Sequence, residues 1–433
     1  MKISRSRFKN IIAYLLITTI LLQFLRNVTS IYFLFLGSLV LLTIIIIIFP
    51  KFNKIKLTTI YKIKLTDVNY RYLIFMISLL YIVFLSTINL NKYELSIMQF
   101  IVANSKMWIM PLVPFFLYYL ISSKEKITYV INIYILFILA ASLSIYLQQF
   151  LGSGFDFFSV SYNKMRMGYE NNVTGYASLT GNVTTYGASF YSAIILIFFN
   201  KFNYPFLKAF FIALIMGAAV ITMSKTGLLM SIITAMVIFF LSIKFNKLKF
   251  LFYLFIIVLF GSIIFYNYFV AAFITMFVNT FGVEIANINI STTTQWQAFI
   301  PRVTDRVFGV FFINTISNYT VGEIIFGIGM LGAGGLLGFN SGTSHNTFFD
   351  IYLMGGFISL LAFLYLFFFT QLKLYKLYKK SKDQLLIAFF ISNSLLFIIL
   401  NVFNGAIFHP AIGMPFWISI IYLMLYSKDK IIN

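Results

Sequence analysis

Between positions 31 and 49 the chain reads IYFLFLGSLVLLTIIIIIF, with no charged residue. A helix of this length covers roughly 30 Å of hydrocarbon. In lipid only a helix or a closed barrel satisfies its own backbone, so a run apolar on every face has few other fates. Comparable runs recur along the whole chain. Hydrophobic residues make up 61% of the 433 positions and charged residues 10%, where soluble domains carry about 25% charged residues. The pattern predicts an all-α polytopic integral membrane protein, with positions 1–433 forming a single membrane domain.

About twelve spans are expected, near 8–25, 31–49, 72–90, 102–122, 127–150, 184–200, 206–223, 226–243, 249–270, 351–372, 384–402 and 411–427. The opening MKISRSRFKN and its apolar sequel imitate a secretory signal. No small-residue cleavage site follows and a second span comes at once, so a retained first helix is expected.

The net charge of +21 would point to nucleic acid in a soluble protein. Here the loops decide otherwise. With the N-terminus inside, cytoplasmic segments hold 24 of the 32 basic residues. Only Arg26, Lys92, Lys106, Lys164, Arg166, Lys225, Arg302 and Arg306 fall outside. The opposite orientation inverts that ratio, so both termini are expected in the cytoplasm. The excess charge then reads as an orientation signal and a contact with anionic membrane lipids, with no nucleic-acid partner. The chain has no cysteine, which removes disulfides, zinc–cysteine sites and thiol chemistry.

Two external segments are too long and too polar to be turns, 152–183 and 271–350. Their Trp296, Phe299, Phe308 and tyrosines predict ordered loops with short helices lying at the membrane surface. No internal repeat is evident, which argues against an inverted-repeat transporter.

Arginine is scarce, seven residues against twenty-five lysines, yet Arg166, Arg302 and Arg306 lie in these two loops. Their place opposes the positive-inside rule, and a guanidinium fork suits a bidentate grip on phosphate. The bland reading pairs them with Asp156, Glu170, Asp305 or Glu323 to hold the loops in shape. Lys225, in ITMSKTGLLM, falls where the seventh span turns into the eighth at the outer surface. A charge there is functional by default, with snorkelling as the ordinary alternative.

GIGMLG (327–332) matches the dinucleotide pattern, but no strand precedes it and no βαβ helix follows. Its glycines more plausibly make a compact loop whose backbone approaches another surface closely. Downstream, in GTSHNTFFDIYL, Thr343, Ser344 or Asn346 can cap the tenth span. His345 then sits near a helix N-terminus, where free N–H groups favour anions. The other histidine, His409 in NGAIFHPAIGMP, falls in a short outer loop whose His-Pro pair reads as a turn. It is a second candidate of lesser weight. No paired metal-ligand spacing exists, so no metal is expected.

Together these segments resemble a known family. SHNTFFDIYLMGGFISLLAFLYLF (344–367) is similar to the His-Asn-x-aromatic and GxxGLL elements of the O-antigen polymerase (Wzy) and O-antigen ligase superfamily. PRVTDRVFGVFFINTISNYTVGEIIFGIG (301–329) resembles its arginine, amphipathic stretch and GxG. MRMGYENNVTGYASL (165–179) resembles its earlier outer-loop arginine segment, and MSKTGLLMS (223–231) its Ser-Arg-Thr/Ser-Gly element. Two departures stand out: Lys225 replaces the usual arginine, and Gly356-Phe357-Ile358-Ser359 lacks the common second glycine.

The resemblance implies metal-independent, cofactor-free glycosyl transfer from a polyprenyl-diphosphate-linked oligosaccharide donor to an acceptor, outside a bacterial plasma or inner membrane. Polymerases of the family join repeat units of capsule, O-antigen or exopolysaccharide. Ligases pass finished polymer to another acceptor. Flippase and chain-length regulator proteins are the further partners implied. On this reading Arg166, Lys225, Arg302 and Arg306 bind diphosphate and His345 is catalytic, with Asn346, Glu170, Asp305 and His409 as supporting candidates. His345 could take the acceptor's proton, or hold the diphosphate while Glu170, Asp305 or Asp350 serves as base. A lipid-linked oligosaccharide flippase and a non-enzymatic scaffold are the competing classes.

Overall fold

The computed structural model describes residues 5–22, 31–48, 67–88, 97–121, 123–151, 178–180, 183–200, 204–222, 224–264, 320–329, 346–402 and 406–432. Among them the chain forms helices and turns, and no strand. In chain order the helices are α1 (Arg5–Leu21), α2 (Ile31–Ile48), α3 (Asp67–Ile88), α4 (Ile97–Leu120), α5 (Lys124–Leu151), α6 (Val183–Phe199) and α7 (Pro205–Ile221). They continue as α8 (Lys225–Lys244), α9 (Leu248–Ile264), α10 (Val321–Phe326), α11 (Thr347–Ser381), α12 (Gln384–Val402) and α13 (Pro410–Ile432). A single 3₁₀ turn, Ala406–Phe408, leads into α13.

Six of these helices (α3, α5, α8, α11, α12 and α13) are long and apolar enough to cross a membrane, and α2, α4, α6, α7 and α9 each hold an apolar stretch of 10–17 residues whose side chains are described. Their outward faces stay apolar: Phe240 of α8 is 67% exposed and Phe255 of α9 65% exposed. Water opposes such faces, whereas lipid tails match them. The architecture is consistent with a polytopic membrane protein.

The chain divides into two compact units, Met1–Leu16 with Gly37–Tyr129 and Ile300–Asn433, and Ile17–Leu36 with Val130–Phe299. In lipid no common hydrophobic collapse gathers all helices round one core, so packing can be local.

The first unit is built around α13, which is almost wholly buried. Trp417 lies at its centre, its ring 5.9 Å from Phe75 and 5.1 Å from Phe416, and its indole N–H donates to Ile407 O at 2.8 Å. Helices α3 and α11 run antiparallel. At one end Lys373 pairs with Asp67 at 3.7 Å, and the Arg71 guanidinium lies 3.6 Å from the Phe369 ring centroid. Halfway along, Ser359 Oγ donates to Ser78 O at 3.4 Å. At the far end Gly329 meets Ser86. The lysine-bearing C-terminus of α11 therefore lies opposite the end where the candidate site is built.

Two boundaries differ from the sequence reading in an informative way. The span expected over 351–372 is a helix from Thr347 to Ser381, extended by a polar stretch carrying Lys373, Lys376, Lys379 and Lys380. Within it the backbone leaves helical geometry at Gly355 and at Gly356, where φ is 61° and ψ −161°. The span expected over 102–122 is a helix from Ile97 to Leu120 that contains Pro111 and Pro114. Glycine and proline interruptions persist in membrane helices because neighbours satisfy the freed backbone groups.

In the second unit, α5 from Val130 onward meets α6 and α7, and α6 to α9 pack against one another. The buried Tyr186 hydroxyl lies 2.6 Å from Ser142 Oγ and 3.0 Å from Ile215 O, which ties α6 to α5 and α7. Helices α6 and α8 touch through their backbones: a Cβ on Gly187 would stand 2.7 Å from Gly227 N.

Candidate functional site

The residue that follows His345 starts α11. Asn346 Oδ1 accepts from the backbone N–H of Phe348 at 2.9 Å and of Phe349 at 3.3 Å. Of the three caps open to the sequence reading, Asn346 is the one used. It satisfies two of the four donors that a helix start leaves over. Thr347 is fully buried, and its Oγ1 accepts from Ala406 N–H at 3.0 Å. The helix start is thereby fastened to the turn that carries His409. Asp350, one turn on, is 1% exposed. Asn346, Thr347 and Asp350 all make further polar or electrostatic contacts.

The half-helix Thr347–Met354 ends on a glycine joint. Gly327 (φ 87°, ψ 170°) and Gly356 (φ 61°, ψ −161°) occupy a region of backbone space that essentially only glycine enters. They also touch: a Cβ on Gly327 would lie 2.5 Å from Gly356 N, and one on Gly356 would overlap Ile325 O. Gly329 presses on α3, where an added Cβ would lie 2.5 Å from Ser86 N. The break in α11 frees the Leu353 carbonyl, and Ile328 N–H donates to it at 2.8 Å. Tyr81 Oη donates to Phe326 O at 3.0 Å. Gly327 and Gly329 thus press their backbone against other backbones, the close approach the sequence suggests for them, while the later glycines of the run lie outside the described residues.

Helix α10 enters that loop through a capping box. Thr320 Oγ1 accepts from Glu323 N–H at 3.3 Å, and the Glu323 carboxylate accepts from Thr320 N–H at 3.0 Å. Glu323, an arginine partner in the sequence reading, has this capping role in the fold. His409 closes the 3₁₀ turn, and its carbonyl accepts from the N–H groups of Ile412 at 3.1 Å and Gly413 at 2.7 Å. That is the turn its His-Pro context suggests.

In the second unit Ser224 caps α8, its Oγ accepting from Gly227 N–H at 3.3 Å. Lys225 is therefore the first residue of that helix. The serine and glycine of MSKTG have structural tasks, the cap and the contact with Gly187.

Within the first unit, then, the structure gathers Asn346, the glycine joint and the His409 turn at the end remote from Asp67 and Lys373. His345, Arg166, Glu170, Arg302, Asp305 and Arg306 lie outside the described residues, as do most of the two long loops. Three participants escaped the sequence reading: Thr347, Ser86 and the Gly355 position. A polar residue directly after a cap and a serine near the end of an apolar run were the available signals, and both are common.

No protein-family model, curated protein or solved structure matches the chain.

Proposed function

We propose that the protein is a polysaccharide polymerase. It joins polyprenyl-diphosphate-linked repeat units at the outer face of a bacterial membrane, by metal-independent, inverting glycosyl transfer. One observation carries the reading. The family-like elements GxG (327–329) and Asn346 through Gly356, with sixteen residues between them, pack together at Gly327–Gly356 and Ile328–Leu353, and Thr347 fastens the start of the second element to the turn that carries His409. A chance scatter of glycines has no reason to assemble this way.

The chemistry follows from the charges. The acceptor hydroxyl attacks the anomeric carbon, the bond to the diphosphate oxygen breaks, and the lipid diphosphate leaves with added negative charge. His345 takes the hydroxyl proton. Arg166, Lys225, Arg302 and Arg306 hold the leaving group, and cations fixed beforehand favour the transition state over the ground state. The Asn346 cap and the glycine joint give the segment after His345 one backbone position, which a proton acceptor requires.

The test is the glycan ladder of a deletion strain complemented with variants. Wild type restores long polymer, and His345→Ala, at equal protein abundance, yields single displayed units. Normal ladders from that variant would overturn the proposal. Free lipid-linked polymer in the deletion strain would mean a ligase, and loss of the displayed unit a flippase.

A further inference from the structure

The second unit holds a basic pocket at the end opposite Lys225, where α6 finishes, α7 begins and α8 turns into α9. Asn246 takes a left-handed conformation (φ 51°) to make that last turn. Lys247 Nζ donates to Phe198 O at 2.9 Å and lies 4.0 Å from the Phe198 ring centroid. Lys208 Nζ donates to Asn200 O at 2.5 Å. Both carbonyls belong to the C-terminal end of α6, where the helix dipole is negative. Each ammonium has three donors and uses one in these bonds.

Among the described residues no carboxylate pairs with either lysine. Burial, and then the neighbouring charge of Lys208, hold the Lys247 ammonium down to about 8. Two half-buried like charges with no counter-ion are costly, and a shared anion relieves the cost through charge-assisted hydrogen bonds. The pocket has room for one: it has a volume of about 450 Å³, walled by Phe198, Pro205, Lys208, Lys247, Leu248 and Phe250.

Lys208 also borders a second cavity of about 340 Å³. This one runs between α5, α6 and α7 past Ile135, Leu136, Leu139, Ile197 and Phe211. A free phosphate or a nucleotide has no use for an apolar groove bordered by the exposed side chain of Leu136. An amphiphile fits both parts, its charged head between the lysines and its tail in the groove.

We infer that this is a binding site for one anionic phospholipid, with its phosphate between Lys208 and Lys247 and an acyl chain along the α5–α6–α7 groove. The site stands apart from the proposed transferase chemistry and needs no assumption about orientation in the membrane.

Native mass spectrometry of the delipidated full-length protein tests it, with phosphatidylglycerol, phosphatidylcholine and inorganic phosphate as probes. One phosphatidylglycerol should remain bound, in preference to phosphatidylcholine by about tenfold. K208Q/K247Q should erase that preference, and Lys244→Gln, an exposed neighbour, should keep it. Equal retention of the two lipids by wild type overturns the inference without any variant, so a poorly folding double variant does not shield it. Displacement of phosphatidylglycerol by millimolar phosphate would make this a free-anion site and also overturn it.

Discussion

Helix α11 in the first unit and α8 in the second both start on a polar cap, and each carries a close glycine contact. Their glycines do different work. At Gly187 and Gly227 the demand is steric only: the backbones of α6 and α8 approach so closely that an added Cβ would stand 2.7 Å from Gly227 N. At Gly327 and Gly356 the demand is both steric and conformational, since φ is 87° and 61° and the backbones touch as well. The first arrangement brings two helices together. The second breaks one helix and anchors the break on a distant loop. If His345 is the proton acceptor proposed above, the segment that follows it needs the second kind.

The largest expected effect comes from violating both demands at once. Gly356→Ala adds a strained φ to an overlap with Ile325 O, and should cost roughly 2–5 kcal/mol. Thermal unfolding in detergent measures it. Gly187→Ala violates only the steric demand and should cost about 1–3 kcal/mol. Equal losses for the two would dissolve the contrast, because left-handed strain would then contribute nothing.

The contrast was half legible in the sequence. The glycine run at 327–338 announced a close backbone approach, but not its target, because Ser86 and Gly356 reach it through folding. The Gly355-Gly356 pair sits within an apolar run that reads as an unbroken span, and hydrophobicity carries no mark for a φ of 61°. Apolar length placed the helices to within several residues. It failed where a helix continues past its apolar run, as the lysine-bearing end of α11 does. The Lys208–Lys247 pair was invisible for another reason: both lysines counted as orientation charges. Their pairing depends on carbonyls at the end of α6, 49 residues from Lys247 in the case of Phe198. The cap at Asn346 was among three residues offered, and only the fold selects the side chain that reaches two N–H groups.

The caps extend the comparison at smaller scale. Asn346 accepts from two backbone donors and Ser224 from one. Asn346→Ala should therefore cost about 1–2 kcal/mol and Ser224→Ala about 0.5–1 kcal/mol. If the first unit serves His345 as proposed, Asn346→Ala should also shorten the glycan ladder beyond what lost abundance explains, and Asn346→Asp, which keeps the cap, should restore length. A ladder that follows abundance alone would reduce Asn346 to a stabilising residue.

The smallest effect on stability is the most discriminating for function. Lys225 occupies the first position of α8, directly after a cap that Ser224 already provides. A cation there opposes the positive end of the helix dipole, a penalty of about 0.3–1 kcal/mol where the charge is exposed. Lys225→Gln should thus leave the unfolding temperature unchanged or slightly raised. A group kept against its own local electrostatics needs another reason, and diphosphate binding supplies one. Lys225→Gln should then truncate the polymer while Lys225→Arg, which retains a cation, preserves it. A fall in unfolding temperature as large as that of Ser224→Ala, with ladders unchanged, would show that Lys225 supports the fold of the second unit and has no part in the chemistry.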